Sequence, residues 1–120
     1  MIPIHLLIKG KLISKDNEKV FNKYGRPFTS KRFKDWASDV KGQAKEQYTG
    51  QPRTEKLSVT IYHYFPDDRR CDIGNAPKGL LDALTGIVWL DDKQIYHLDQ
   101  MIMNNDKINP RTKIVVEEFT

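Results

Sequence analysis

The chain has little cysteine and no long apolar run, and both absences limit what kind of protein it can be. Its 120 residues contain one cysteine, Cys71, so an internal disulfide is impossible and a reducing, cytoplasmic setting is expected. The apolar runs are a handful of residues each, far short of the roughly 20 that cross a bilayer. The first residues also lack the basic stretch and long apolar core of a secretory signal. The sequence therefore predicts no membrane partner.

Repeats and low-complexity segments are absent too. The six prolines and seven glycines are scattered, which gives no sign of a linker. Aromatic residues make up 10% of the chain, too many for a disordered, collagen-like or mucin-like protein. Because 120 residues suit one hydrophobic core, we expect a single domain over residues 1–120.

The net charge of +4 is unevenly distributed along the chain. Residues 1–56 hold 13 Lys and Arg against 6 Asp and Glu, a balance of +7, whereas residues 57–120 hold 7 against 10, a balance of −3. A basic half attracts a polyanion, and carboxylates can approach phosphate when a metal ion lies between them. On charge alone, an ordinary solvated surface explains the pattern equally well.

Hydrophobic periodicity and turn residues predict the order strand, loop, helix, strand, helix, strand, strand. The strands are expected at residues 2–8, 57–65, 94–103 and 113–119. Ser30 is a suitable N-cap for a helix to about residue 48, and Asn75 and Gly86 bound a shorter second helix. The turn-rich residues after position 103 predict that the last two strands form a hairpin. The expected fold is α+β (mixed α/β), a small mixed sheet covered by helices.

Residues able to do phosphodiester chemistry lie around the second predicted helix. Asp72 and Lys78 are at its beginning, and Asp91 and Asp92 follow its end. A chain that makes a short helix and returns is expected to bring Asp72 within reach of Asp91 and Asp92. Clustered carboxylates suit Mg²⁺, which prefers oxygen ligands and bridges to phosphate, and a nearby lysine can stabilise a leaving oxygen. Taken alone, however, the pattern fits turn residues and surface ion pairs better than a metal site.

Between Arg69 and Gln94 the sequence combines a basic run with spaced aspartates and a lysine. The residues are Arg69-Arg70-Cys71-Asp72-Ile73-Gly74-Asn75, then Lys78, then Leu81-Asp82-Ala83-Leu84-Thr85, then Trp89-Leu90-Asp91-Asp92. This stretch closely resembles the RusA family of Holliday junction resolvases. The family's pattern is a basic run, Asp-x-Asp-Asn, a lysine three residues on, a Phe/Leu-Asp-Ala-Leu helix and a hydrophobic-Asp-Asp ending.

The resemblance implies a small homodimer that binds four-way DNA junctions and nicks opposing strands with Mg²⁺ and no organic cofactor, in bacteria, phages or prophages. It also implies that Asp72 and Asp92 are essential metal-binding aspartates, that Asp91 is their neighbour in the metal site, and that Lys78 is the catalytic lysine. Basic residues near these positions are the expected contacts to DNA phosphates. They are Lys11, Lys15, Lys19, Lys23, Lys31, Arg32, Lys34, Arg69 and Arg70.

One position departs from the family's pattern. The second aspartate of Asp-x-Asp-Asn is Gly74 here, which has no side chain to bind a metal. The chain could bind junctions without cleaving them, Asp67 or Asp68 could supply the missing carboxylate, or the site could work weakly with fewer ligands. We favour lost or reduced cleavage with DNA binding retained. The rival functions are a non-catalytic junction-binding module and, more distantly, an interaction protein whose carboxylates are surface charge.

Overall fold

The computed structural model describes residues 1–14, 19–21, 23–25 and 27–120 of the chain. Its elements are β1 (Ile4–Lys9), β2 (Lys19–Phe21), β3 (Pro27–Thr29), α1 (Lys31–Gln47), β4 (Leu57–Tyr64), α2 (Ala76–Leu84), β5 (Ile95–Ile102) and β6 (Arg111–Glu118). A four-stranded mixed sheet has the order β1-β6-β4-β5, and β2 pairs with β3 inside the segment predicted as a loop. The predicted α+β class is confirmed.

Alternation along the central strands builds the core. In β4, Leu57, Val59, Ile61 and His63 are buried, while the residues between them are half-buried. The buried side of β6 follows the same two-residue period. The apolar side chains of this face form one cluster with those of α1 and α2, so the helices cover one side of the sheet.

Helix α1 begins as predicted and also protects an edge of the sheet. The Ser30 hydroxyl accepts a hydrogen bond from the N–H of Phe33 at 3.1 Å, which caps the helix. Further along α1, the side-chain amide of Gln47 both accepts from and donates to the backbone of Leu7 in β1, at 2.7 and 2.8 Å. Gln43 pairs in the same way with the backbone of the last β1 residue. These side-chain amides form hydrogen bonds with backbone groups that β1, as an edge strand, would otherwise expose.

The predicted hairpin between the last two strands is wrong. Strand β5 pairs in parallel with β4, whereas β6 lies antiparallel between β1 and β4. The connection crosses the end of β4, where the N–H groups of Met103 and Asp106 donate to the carbonyls of His63 and Phe65, both at 2.8 Å. Strand β6 takes the inner position because its alternate residues can be buried, while the mostly exposed β5 suits an edge.

Strand β4, helix α2 and strand β5 form a parallel crossover, which places the two ends of α2 at different levels of the sheet. Parallel neighbours require a connection that runs back along the strands. Before α2, Ile73 contacts Gln100, which is paired with Ile61 in β4. After α2, Trp89 bridges to Arg53, which precedes β4. The beginning and end of α2 therefore lie towards opposite ends of β4.

Two glycines fit α2 into this position. Gly86 has a φ of +90°, a conformation that L side chains rarely adopt, and it ends the helix as predicted. Gly79 allows α2 to approach α1 closely, because an added Cβ would lie 2.7 Å from the ring of Phe33. Within the described part of the chain, no helix is long and apolar enough to span a membrane.

Candidate active site

The N-terminal end of α2, which we call the Asp72 end (residues 69–78), carries exposed functional side chains. Asp72 lies one turn before the helix, and its carbonyl accepts from the N–H groups of Asn75 and Ala76 at 3.0 Å each. Asn75 precedes the helix as predicted, but its side chain makes no capping hydrogen bond. The side chains of Asp72 and Lys78 are both exposed. A ligand in solution can therefore reach the predicted carboxylate and lysine here.

Gln100 of β5 connects the Asp72 end to the sheet. Its amide N–H donates to the carbonyl of Ile73 at 3.2 Å, and its amide oxygen accepts from Nε2 of His63 at 2.9 Å. His63 is 1% exposed, and its Nδ1 has no hydrogen-bond partner among the described residues. Burial lowers the pKa of His63 and the charge of Arg70 lowers it further, against the opposing hydrogen bond to Gln100. A neutral imidazole thus supports the segment that holds Asp72.

Sequence reasoning missed this support. His63 follows Ile61 in the alternation of β4, but the sequence shows no partner for its imidazole. Gln100 lies 37 positions further on, in a strand that was expected to pair elsewhere. Only the parallel pairing of β4 with β5 puts the two side chains on the same face.

The C-terminal end of α2, which we call the Asp92 end (residues 89–94), holds its two aspartates in a single 3₁₀ turn. Asp91 caps this turn, and its carboxylate accepts from the N–H of Lys93 at 2.9 Å. That hydrogen bond is the main reason why the pKa of Asp91 is lowered. Both aspartates are exposed. Asp91 therefore has a structural role in addition to any role in metal binding.

Gln94 fixes the Asp92 end to the rest of the protein. Its amide oxygen accepts from the N–H groups of Leu90 and Asp91, both at 2.9 Å. Its amide N–H group donates to the carbonyls of Arg53 and Glu55, at 2.8 and 2.9 Å. One side chain thus satisfies four backbone groups from two segments that are far apart in sequence.

One copy of the chain does not bring Asp72 together with Asp91 and Asp92. The Asp72 end contacts Gln100, whereas Asp92 precedes Ile95, the first residue of β5. Five residues of strand span roughly 17 Å. Among the described residues, no group of three or more His, Cys, Asp or Glu side chains is placed to hold a metal ion. The parallel crossover therefore places Asp72 and the Asp91–Asp92 pair at opposite ends of α2.

The two aspartates that could supply the carboxylate missing at Gly74, Asp67 and Asp68, both have hydrogen-bond partners. The two carboxylate oxygens of Asp67 accept from the backbone N–H and the guanidinium of Arg69, at 2.9 and 3.0 Å. The carboxylate of Asp68 accepts from the side-chain amide of Asn105 at 2.7 Å. Gly74 itself is exposed, and an added Cβ would meet nothing within 4 Å. Both aspartates thus have other partners, and the position of Gly74 has room for a side chain.

Cationic side chains from three segments meet beside the Asp72 end. Lys11 follows β1, Arg32 lies in the first turn of α1, and Arg69 and Arg70 precede Asp72. All four line one cavity of about 150 Å³. The sequence predicted these residues as DNA contacts but gave no reason to group them in space.

The other predicted DNA contacts are spread over the surface or cannot be placed. Lys31 is exposed and pairs with Asp35 at 3.6 Å, and Lys34 is exposed on the same helix. Lys23 lies over the ring of Tyr24 at 5.1 Å. Lys15 and the side chain of Lys19 lie outside the described residues.

The chain matches the model of a known family over most of its length. The family model for Endodeoxyribonuclease RusA matches residues 9–117 of the 120-residue chain. The match runs from the end of β1 into the last residues of β6 and includes both ends of α2. No curated protein matches the chain. Because the match covers most of the chain, it extends well beyond the motif at residues 69–94.

Proposed function

Because the chain belongs to the RusA family of endodeoxyribonucleases, we propose that it is a Mg²⁺-dependent homodimer that nicks opposing strands of four-way DNA junctions. The family acts on Holliday junctions in recombination. The observation that best supports this function is the Asp72 end, where an exposed carboxylate and lysine lie beside a cationic cavity. The expected location is the cytoplasm of a bacterial or phage-infected cell.

The side chains at the Asp72 end have distinct parts in this proposal. Arg69 and Arg70 bind backbone phosphates, which positions the strand without reading its sequence. Lys78 places a positive charge where negative charge develops on the cleaved phosphodiester. Asp72 is the carboxylate closest to that phosphate. These tasks need only residues that one end of α2 carries.

The aspartates expected to bind the metal ion are divided between the two ends of α2. Asp72 is at one end of α2, and Asp91 and Asp92 are at the other. In a two-fold dimer, a contact between the Asp72 end of one copy and the Asp92 end of its partner is repeated by symmetry. Two such sites at a fixed separation would also suit paired nicks on opposing strands. We therefore propose that the homodimer, rather than the monomer, forms the complete site.

A junction assay with the natural chain and Gly74→Asp tests the function. We expect both proteins to bind a four-way junction in Ca²⁺, and cleavage in Mg²⁺ to be at least about tenfold faster for Gly74→Asp, because a metal ligand is restored. The variant should fold, since this position is exposed and offers free space around a side chain. A linear duplex of the same sequence is the control for junction selectivity. Failure of both proteins to bind the junction would contradict the proposed function.

A non-catalytic junction-binding module is the second candidate. Gly74 favours it, since glycine has no carboxylate and the nearby Asp67 and Asp68 have other hydrogen-bond partners. Junction binding without Mg²⁺-dependent cleavage by the natural chain, together with cleavage by Gly74→Asp, would identify it.

A further inference from the structure

A small cavity beside the Asp72 end has a cationic lining that the cleavage chemistry of Asp72 and Lys78 does not require. It measures about 150 Å³, and its polar lining is Lys11, Ser14, Arg32, Arg69, Arg70 and Cys71. Among the described residues, no Asp or Glu lines it. A water molecule takes up about 30 Å³, so the cavity has room for a group the size of a phosphate. An anion is the ligand that such a lining favours.

The positive charges act on the same short segment. Hydrogen bonds from Arg69 are the main reason for the lowered pKa of Asp67, and Lys11 lowers it further. Burial raises the pKa of the Cys71 thiol, while the charges of Arg70 and Lys11 oppose that rise. Asp67 balances the charge of Arg69 at 3.0 Å, and among the described lining residues four cationic side chains face no carboxylate of the lining.

Ser14 supplies an independent indication of a ligand. It is 4% exposed, lines the cavity, and its hydroxyl has no hydrogen-bond partner among the described residues. Buried hydroxyl groups nearly always have a partner, because leaving one unpaired is destabilising. An oxygen of a bound anion would accept the Ser14 proton. A group that enters the cavity would give this hydroxyl a partner.

We propose that this cavity binds one phosphate group of the DNA backbone, immediately beside the strand that the Asp72 end contacts. The Ser14 hydroxyl donates to a phosphate oxygen, and Lys11, Arg32 and Arg70 supply the positive charge. This assignment rests on the proposed function, because the phosphate belongs to the junction. One phosphate is then held at a fixed place relative to Asp72. That position determines which neighbouring phosphodiester bond reaches the Asp72 carboxylate.

Ser14→Ala separates a binding role from a structural one. Removing an unpaired buried hydroxyl should leave the midpoint of urea unfolding unchanged or raise it. The same change should weaken junction binding about tenfold, because a hydrogen bond to a charged oxygen is lost. Ser58→Ala, at a half-buried serine of β4 outside the cavity, is the matched control and should change neither quantity. Weaker binding together with lower stability would instead assign Ser14 a structural role and would contradict the proposal.

Lys11→Gln tests the charge. It should weaken junction binding and reduce the slope of log K against log salt by about one unit. Lys45→Gln, in the last turn of α1 and outside the cavity lining, removes the same charge and should leave that slope closer to the natural value. Equal effects of the two variants would mean that Lys11 contributes only to the general field, which would overturn the assignment.

Replacing single junction phosphates by uncharged methylphosphonates locates the contact. For the natural chain, one backbone position in each symmetric half should be most sensitive. At that position the replacement should cost Lys11→Gln and Ser14→Ala little further affinity, because the contact has already been lost. Additive effects at every position would show that no particular phosphate occupies the cavity, and the proposal would fail.

Inorganic phosphate distinguishes a backbone phosphate from a free one. Cys71 is the only cysteine of the chain, so its reaction rate with a thiol reagent reports occupation of the cavity. Junction DNA should slow this reaction in the natural chain more than in Ser14→Ala. If inorganic phosphate protects Cys71 while junction affinity is indifferent to Ser14 and Lys11, the cavity binds a free anion and the backbone assignment is wrong. If the natural chain binds no junction at all, the proposed function itself fails.

Discussion

The two ends of α2 carry aspartates that family resemblance assigns to one metal site, yet the protein builds these ends differently. At the Asp92 end, Gln94 pairs with four backbone groups and Asp91 caps its own turn. At the Asp72 end, the functional side chains are exposed, their neighbours are cationic, and the amide of Gln100 makes the connection to the sheet. The Asp92 end is held by hydrogen bonds to backbone groups, whereas the Asp72 end presents exposed side chains beside a cationic cavity.

This difference suggests how the work is divided between the two ends. A carboxylate among cations can approach a phosphate without strong repulsion. A carboxylate in a turn with internal hydrogen bonds is a well-positioned ligand for a partner that arrives from outside. Since Asp91 is committed to capping, Asp92 is the better placed of the two to reach beyond its own chain. The comparison thus favours a site completed between two copies.

The largest expected effect comes from removing one aspartate at a time. Asp72→Asn and Asp92→Asn should each slow junction cleavage by about 100-fold or more, because a metal ligand supplies several kcal/mol of transition-state stabilisation. Both homodimers should bind the junction about as well as the parent. Single-turnover cleavage and gel shifts measure the two quantities, with Gly74→Asp as the parent if the natural chain is slow. A loss of binding without a loss of cleavage per bound complex would reverse these roles.

Mixing the two variants decides whether the site is shared between copies. If Asp72 of one copy works with Asp92 of the partner subunit, a mixed dimer contains one intact site and one doubly altered site. Cleavage should then return as a nick in one strand, and the mixed dimer should bind Mn²⁺ at one site where the homodimeric variants bind none. Unmixed variants at the same total concentration are the control. Mixed dimers that stay inactive and bind no Mn²⁺ would place both aspartates within one copy.

Local features of the fold could be predicted from the sequence because they depend on neighbouring residues. The Ser30 cap needs a hydroxyl three residues before a free N–H, and Gly86 ends α2 because it adopts a positive φ. Hydrophobic periodicity predicted a strand at residues 57–65, close to the observed bounds of β4. Each of these signals lies within a few positions of the structure it determines.

The choice of strand partners could not be predicted in this way. The residues between β5 and β6 look like a hairpin turn, yet they cross the end of β4 instead. Periodicity shows that a strand has a buried face but not which strand lies beside it. The expectation that Asp72 meets Asp92 assumed that the chain simply returns after a short helix, whereas the parallel crossover places these residues at opposite ends of α2. The support by Gln94 and Gln100 depends on the same long-range pairing.

Gln94→Ala should produce the largest loss of stability among changes at the two ends. Four hydrogen bonds to backbone groups disappear, which together should cost about 2–4 kcal/mol in the free energy of unfolding. Urea denaturation measures this difference, with Gln51→Ala, an exposed glutamine, as the control. A loss no greater than that of the control would mean that water replaces these bonds without cost. The Asp92 end would then not be the more firmly built of the two.

Gln100→Ala should cost less stability but affect the Asp72 end directly. His63 would lose its partner at Nε2 and Ile73 would lose its donor, with an expected cost of about 1–2 kcal/mol. Gln100→Glu keeps an acceptor for His63, but its carboxylate repels the carbonyl of Ile73. The variant should therefore keep most of its free energy of unfolding while its cleavage rate falls. Urea denaturation and junction cleavage rates, measured on both variants, test this difference. His97→Ala, on the exposed side of β5, is the control. Cleavage that follows stability in both variants would exclude a positioning role for Gln100.

The smallest expected effect is a pH dependence that originates at His63. Burial lowers the pKa of His63 below its ordinary 6.5 in the folded state. As the pH falls through 6.5, the unfolded chain therefore takes up a proton that the folded protein refuses, and stability decreases. One proton gives at most about 1.4 kcal/mol per pH unit.

Urea denaturation between pH 7.5 and 5.5 isolates this contribution, because the carboxyl groups with lowered pKa values act below that window. Glu55, whose pKa is lowered to about 2 mainly by its hydrogen bond with Arg53, contributes stability that is lost only as the pH falls below about 4.5. His63→Gln should remove most of the slope in this window, whereas His5→Gln, at an exposed position of β1, should keep it. Equal slopes for the two variants would show that His63 accepts its proton in the folded protein. The bridge through Gln100 would then tolerate an imidazolium, and the Asp72 end would not depend on a neutral support.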